Sequence, residues 1–197
     1  MSDAIAGLRA GEPVVLPTDT VYGLCSLPAA EAVDRLYRLK GREEGKPTAL
    51  LAPDLDRLLE CVPELDEHAL KIVRALLPGP YTLVLANPAR RFPWLAGASP
   101  DRLGVRIPTL PAASAEVLAE VGCVAATSAN LAGGADPRRV ADVPDRIRAG
   151  CAVVVDGGEL PGTPSTVLDL SGPEPRVIRE GAVPAAAALE RVAAAVA

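Results

Sequence analysis

Lys40, Arg42 and Lys46 stand close together in the stretch Lys40-Gly41-Arg42-Glu43-Glu44-Gly45-Lys46-Pro47-Thr48, just ahead of an apolar run. A lysine offers a mobile point charge and an arginine a planar fork that grips oxygens bidentately, so a glycine-interrupted loop with this make-up can follow a polyphosphate. Glu43 and Glu44 can equally neutralise the loop and leave it a solvated surface. Two further places carry candidate ligand groups. The apolar run Pro13 to Leu16 leads into Thr18, Asp19, Thr20 and Tyr22, and the run Cys123 to Ala126 leads into Thr127, Ser128 and Asn130. Ligand groups of open α/β sheets sit at strand ends, although Thr18, Asp19 and Thr20 also suit a plain turn. Arg102 and Arg106 fall on one face of an alternating segment, where they can hold a carboxylate or a phosphate or line a solvated edge.

The elements that must position these groups alternate. Helices are expected over 2–10, 28–39, 54–59, 64–77, 112–120, 143–149 and 184–197, from apolar residues at helical spacing. Strands are expected at 13–16, 48–52, 81–86, 102–108, 123–126, 152–155, 165–170 and 176–179. The order implies a single domain of α/β or α+β class over residues 1–197, on a twisted mixed sheet of about seven strands, because several connections are too short for helical crossovers.

Composition narrows the function. The chain has 197 residues, a net charge of −5 and only 3% aromatic residues, which argues against a broad basic or base-stacking face for nucleic acid while leaving room for a local basic pocket. Cys25, Cys61, Cys123, Cys151 and the single His68 match no metal-ligand spacing, so no protein-held metal is expected. The amino terminus lacks the pattern of a signal peptide, and no apolar run approaches the roughly 20 residues of a membrane span. A reduced, cytoplasmic protein without membrane contact is the expectation.

Eight short motifs occur in one order: P-T-D-T-V-Y-G-L at 17–24, K-G-R with K-P at 40–47, P-G-P-Y-T-L-V-L at 78–85, G-V-R-I-P at 104–108, T-S-A-N at 127–130, D-G-G at 156–158, S-T-V at 165–167 and R-E-G at 179–181. With them the chain resembles the YrdC-like threonylcarbamoyl-AMP synthases in their single-domain form. The resemblance implies a twisted α/β sheet with a positively charged concave pocket. It also implies ATP-dependent, Mg²⁺-assisted formation of L-threonylcarbamoyladenylate from L-threonine, bicarbonate and ATP, for threonylcarbamoyladenosine modification of tRNA. Downstream partners would be a TsaD/TsaB/TsaE-like transferase complex, with weak direct tRNA contact.

Position by position, the resemblance assigns Lys40 and Arg42 as catalytic. It assigns Lys40, Arg42, Lys46, Ser128, Asn130, Asp136 and Arg179 to ATP, and Thr18, Thr20, Tyr22, Arg106 and Ser165 to threonine. Glu43 and Glu180 stand where relatives carry proline, Leu51 stands where some carry histidine, and the 133–139 loop departs from the pattern. Two competing readings use the same domain: a non-catalytic binder of double-stranded RNA, and a carbamoyl-adenylate enzyme of the hydrogenase-maturation type fed by carbamoyl phosphate.

Overall fold

In the computed structural model, which describes residues 1–42 and 45–197, one mixed sheet runs through the molecule. Glu43 and Glu44 lie outside the described residues. The chain builds α1 (Ser2–Arg9), β1 (Val14–Pro17), β2 (Tyr22–Ser26), α2 (Ala30–Lys40), β3 (Ala49–Leu51), α3 (Leu55–Cys61), α4 (Glu67–Leu76), β4 (Tyr81–Ala86), β5 (Arg102–Arg106), α5 (Ala112–Val121), β6 (Val124–Ser128), α6 (Asp145–Ala149), β7 (Val153–Val154), β8 (Thr166–Asp169), β9 (Arg176–Arg179) and α7 (Ala185–Val196). Short 3-10 turns at Pro93–Leu95 and Val140–Asp142 complete the described elements.

The sheet order is β7-β1-β2-β6-β3-β5-β4-β8-β9, nine strands among the described residues where about seven were expected. The strand that sequence reading did not separate is β2, which pairs antiparallel with β1 from Val14–Cys25 to Pro17–Tyr22. The β1–β7, β3–β5 and β4–β8 pairs are parallel and the other five antiparallel. His68, in α4, is exposed.

The two faces of the sheet are covered unequally. Leu50, Leu83, Leu85, Leu103, Val105, Ala125 and Leu168 pack beneath α3, α4 and α7, and Tyr22 and Leu24 extend that layer to α2 and α6. On the other face α1 and α5 cover only one end, over Val14, Leu16, Cys25 and Val124. The rest of that face carries small or polar side chains, Gly23, Ala49, Ala126, Gly104 and Thr82, and forms the floor of a cavity of about 480 Å³.

Local chemistry fixes the rim. Gly41 adopts φ 66° and stops α2, a left-handed geometry glycine takes at no steric cost, so the chain leaves Lys40 at the helix end and turns into the basic loop. Ser114 of α5 donates to the carbonyl of Pro17 at 2.7 Å, anchoring the bend where β1 ends.

Tyr22 departs from its expected place. Its ring is fully buried on the helical side, and its hydroxyl donates to the carbonyl of Gly158 at 2.8 Å and accepts from the amide of Gly157 at 2.9 Å. The cavity is instead lined by its neighbours Val21 and Gly23. Tyr22→Phe is therefore expected to lower unfolding free energy by about 1–3 kcal/mol, the scale for stranding buried polar partners, with substrate affinity retained; urea unfolding alongside ligand titration checks both.

Candidate active site

At one end of the cavity, β5 delivers Arg106 from the sheet floor to the turn that follows β1. The Arg106 Nη2 donates to the Asp19 carboxylate and to the Thr20 hydroxyl, the latter at 2.8 Å. Asp19 also accepts from the amide of Thr109 at 3.3 Å. Burial pushes the Arg106 guanidinium down from its ordinary range while Asp19 opposes the shift, and burial pushes the Asp19 carboxyl up against the pull of Arg106. Each partner's charge opposes the shift that burial imposes on the other. The Arg106 Nε has no partner among the described residues and no solvent contact.

Thr18 and Thr20 divide two duties. The Thr18 hydroxyl donates to the carbonyl of Val21 at 2.7 Å and accepts from the amides of Thr20 and Val21, so Thr18 builds the turn. Thr20, fixed by that turn, presents its hydroxyl beside Arg106. Both residues line the cavity. Ser165, just ahead of β8, shares a hydrogen bond with the Thr82 hydroxyl at 2.8 Å. Arg179 of β9 donates to the Ser165 carbonyl at 2.8 Å, and both line the same end. A Cβ on Gly181 would lie 2.2 Å from the Pro164 carbonyl, so the glycine of the R-E-G motif is what lets the chain pass this close to Ser165.

The other end of the cavity gathers Arg42, Thr127, Ser128 and Asp136. Arg42 stacks over the Tyr37 ring at 5.8 Å and donates to the carbonyls of Lys46, at 3.2 Å, and Pro47. Its Nη1 reaches the Thr127 hydroxyl at 3.4 Å. Lys46 is exposed and does not line the cavity.

Lys40 is placed differently from its expected role. Its side chain is 4% exposed and does not line the cavity. The ammonium donates to the Ser128 carbonyl, to the Asn130 carbonyl at 2.9 Å and to the Asn130 side-chain oxygen at 2.6 Å, which occupies its three protons. Burial first, and the charge of Arg42 second, push its pKa down to about 8. Asn130 in turn accepts from the Ser128 hydroxyl at 2.7 Å and donates to the Gly134 carbonyl at 2.5 Å. Lys40 and Asn130 thus form the rear brace of the turn that presents Ser128.

The charged side chains lining the cavity, among the described residues, are Arg42, Arg102, Arg106, Arg179 and Asp136. Asp19, read from the sequence either as a ligand group at a strand end or as a turn former, is the partner that fixes Arg106. No group of three His, Cys, Asp or Glu among the described residues is arranged to hold a metal.

The brace generates a prediction. Lys40→Met strands three acceptors and is expected to cost about 2–4 kcal/mol of stability, whereas Arg42→Ala, at the rim, is expected to cost less than about 1 kcal/mol. Chemical denaturation of both variants checks the contrast.

With this geometry in place, comparison with known proteins is direct. The family model described as telomere recombination, Sua5–YciO–YrdC, matches residues 6–181. A putative threonylcarbamoyl-AMP synthase of Mycobacterium tuberculosis is 34% identical, over 91% of this chain and 83% of that one. The human threonylcarbamoyl-AMP synthase is 39% identical over 86% of this chain and 62% of its own length. The crystal structure of Pyrococcus abyssi Sua5 complexed with L-threonine superposes with a TM-score of 0.86 at 30% identity, covering 96% of this chain and 56% of that one. The chain thus spans little more than half of the archaeal protein but most of the mycobacterial one. On the match of the family model across 6–181, with the mixed sheet shared by these structures, the chain belongs to the Sua5–YciO–YrdC family.

Proposed function

We propose that the cavity is the reaction chamber of an L-threonylcarbamoyladenylate synthase, which makes threonylcarbamoyl-AMP and pyrophosphate from L-threonine, bicarbonate and ATP. The observation that carries this reading is the difference between the two ends of one cavity. One end sets the buried Arg106 beside the Thr20 hydroxyl in a wall that also carries Ser165, as a small hydroxylated amino acid requires. The other joins Arg42 to Ser128, as a phosphate chain requires. The names of the relatives and the threonine complex of the archaeal one support the same assignment over a duplex-RNA face.

In this reading Arg106 takes the threonine carboxylate, and the hydroxyls of Thr20 and Ser165 take its polar groups. Thr18 acts by shaping the turn, and Tyr22 acts only through the 156–158 loop it ties down. Arg42 holds the triphosphate from the cavity wall and Lys46 from the exposed loop beside it, with Ser128 and Asp136 on the nucleotide and Arg179 toward the α-phosphate. Lys40 and Asn130 contribute by bracing Ser128. Mg²⁺ arrives on the phosphate oxygens as part of the nucleotide substrate, a binding mode that needs no dedicated carboxylate cage.

The chemistry needs positioning more than a protein nucleophile. The threonine amine adds to bicarbonate carbon and water leaves, giving a carbamate. A carbamate oxygen then attacks the α-phosphorus, the bond to the bridging oxygen breaks, and pyrophosphate departs. Alignment of bound reactants is worth on the order of 7–11 kcal/mol, and the arginines stabilise charge that moves onto the leaving group. The product passes to a TsaD/TsaB/TsaE-like transferase complex acting on tRNA in the cytoplasm, with direct tRNA contact by this chain weak.

Pyrophosphate release from MgATP is expected only with both L-threonine and bicarbonate present, with the adenylate seen by mass spectrometry; release independent of threonine would overturn the reading. Arg42→Ala is expected to abolish release in a folded protein. Thr20→Val is expected to raise the KM for threonine at least about tenfold while moving that for ATP by less than about twofold; equal loss of both would contradict the assignment of the two ends.

A further inference from the structure

Arg138 lies outside the cavity and in none of the eight motifs, yet it holds the segment that frames the threonine end. That segment, residues 155–165, forms neither helix nor strand and leads from β7 at one edge of the sheet to β8 near the other. It is a strap tied at successive points. The Val155 amide donates to the Val15 carbonyl at 2.9 Å, the Gly157 amide to the Tyr22 hydroxyl at 2.9 Å and the Gly162 amide to the Thr20 carbonyl at 2.8 Å. Beyond Gly162 the strap delivers Ser165 to the cavity wall. Thr20 is thus held by its carbonyl while its hydroxyl faces Arg106.

Arg138 supports the strap midway. Its carbonyl accepts from the Leu160 amide at 2.9 Å, and its Nε donates back to the Leu160 carbonyl at 3.4 Å. Its stem fills the space against Gly162, where an added Cβ would collide with the Arg138 Cγ and Cδ. Gly162 also adopts φ 83°, which a side chain disfavours, so strap and arginine approach as closely as glycine alone permits. The Arg138 Nη2 meets the Glu159 carboxylate at 2.9 Å, with side chains 54% and 45% exposed. An ion pair that open to water contributes about 0–1 kcal/mol, so the stem and the Nε bond carry the support. The preceding residue serves the other side of Thr20: the Pro137 carbonyl accepts from the Tyr22 amide at 3.0 Å.

We infer that Arg138 is a positioning residue for threonine, which sets the Gly162 amide on the Thr20 carbonyl and, through the same strap, the place of Ser165. The inference rests on the synthase reading for its ligand. It assigns to an exposed arginine outside the chamber the aim of two hydroxyls inside it, and it leaves the nucleotide to other groups.

The test is calorimetric titration of L-threonine and of MgATP into the wild-type chain, Arg138→Ala, Arg138→Lys, Glu159→Gln, Gly162→Ala and the Arg138→Ala/Gly162→Ala double variant, with urea unfolding to establish that each is folded. Arg138→Ala and Gly162→Ala are each expected to weaken threonine about fivefold or more, the scale of one misdirected hydrogen bond, with MgATP within about twofold. Arg138→Lys, which keeps the stem, and Glu159→Gln, which removes only the exposed ion pair, are expected to bind both ligands within about twofold of wild type. The double variant is expected to match Arg138→Ala within about twofold, because both changes act on one contact. Unchanged threonine affinity in Arg138→Ala, equal loss of threonine and MgATP, or additive losses in the double variant overturns the inference and leaves the synthase reading in place. Gly162→Ala, which keeps every side chain of the support, decides the matter if Arg138→Ala does not fold. Wild-type protein that binds no threonine overturns both.

Discussion

The ion pair between Arg106 and Asp19 is the constraint on which the site depends. A guanidinium held at the end of a central strand, out of water, is costly unless a carboxylate meets it with good geometry. Asp19 supplies that carboxylate from a different part of the sheet, so the pair joins the end of β5 to the turn between β1 and β2. The turn is in turn closed by Thr18 and anchored through Ser114 of α5. The position of Thr20 follows from these contacts and not from its own side chain, which is why one hydroxyl can be aimed to within hydrogen-bond distance of Arg106. The same pair also explains why the sheet face above it stays open, since an apolar helix laid there would desolvate the charges further.

Much of the fold was legible because its signals are local. β4 and β9 fall at their expected bounds, and every expected helix forms within a few residues. β2 was lost in the motif that contains it, because all five of its residues are buried and show no alternation to mark one face. Tyr22 illustrates the cost. Side chains of a strand alternate, so a one-residue difference in parity decides between cavity and core; the hydroxyl that looked like a ligand group is bonded to the 156–158 loop. Lys40 is a second case. Its charge and neighbours suggested phosphate, but its position as the last residue of α2 brings the ammonium against the carbonyls of 128 and 130. No spacing rule reveals that contact, since ninety residues separate the partners.

The electrostatics reconcile an acidic protein with an anionic substrate. A net charge of −5 describes the whole chain, while the cavity draws its cationic wall from β5, β9 and Arg42 in the loop after α2. Arginine suits each of those places better than lysine. Arg42 uses its flat face on Tyr37 and its edge on carbonyls and Thr127, a combination an ammonium cannot reproduce. Arg179 and Arg106 likewise use several nitrogens, or one nitrogen twice, to stay oriented. Lys40 has given up its donors to the Ser128 and Asn130 carbonyls and the Asn130 side chain and serves as a brace.

That division of labour bears on how the chamber works. Rate enhancement by alignment requires groups that do not relax when substrate arrives. In this chain the side chains facing the cavity are each fixed by partners behind it: Arg106 by Asp19, Ser128 through Asn130 and Lys40, Arg179 by the Ser165 backbone, Arg102 by Asp169. Each fixing contact joins different elements, strand to strand, strand to loop or, at Lys40, helix to loop, so the orientation of the site is a property of the assembled fold and not of any single motif. The short motifs carry most of the groups that face the cavity; the residues that aim them, Asp19 and Asp169 above all, are ordinary turn and strand carboxylates until the sheet brings them together.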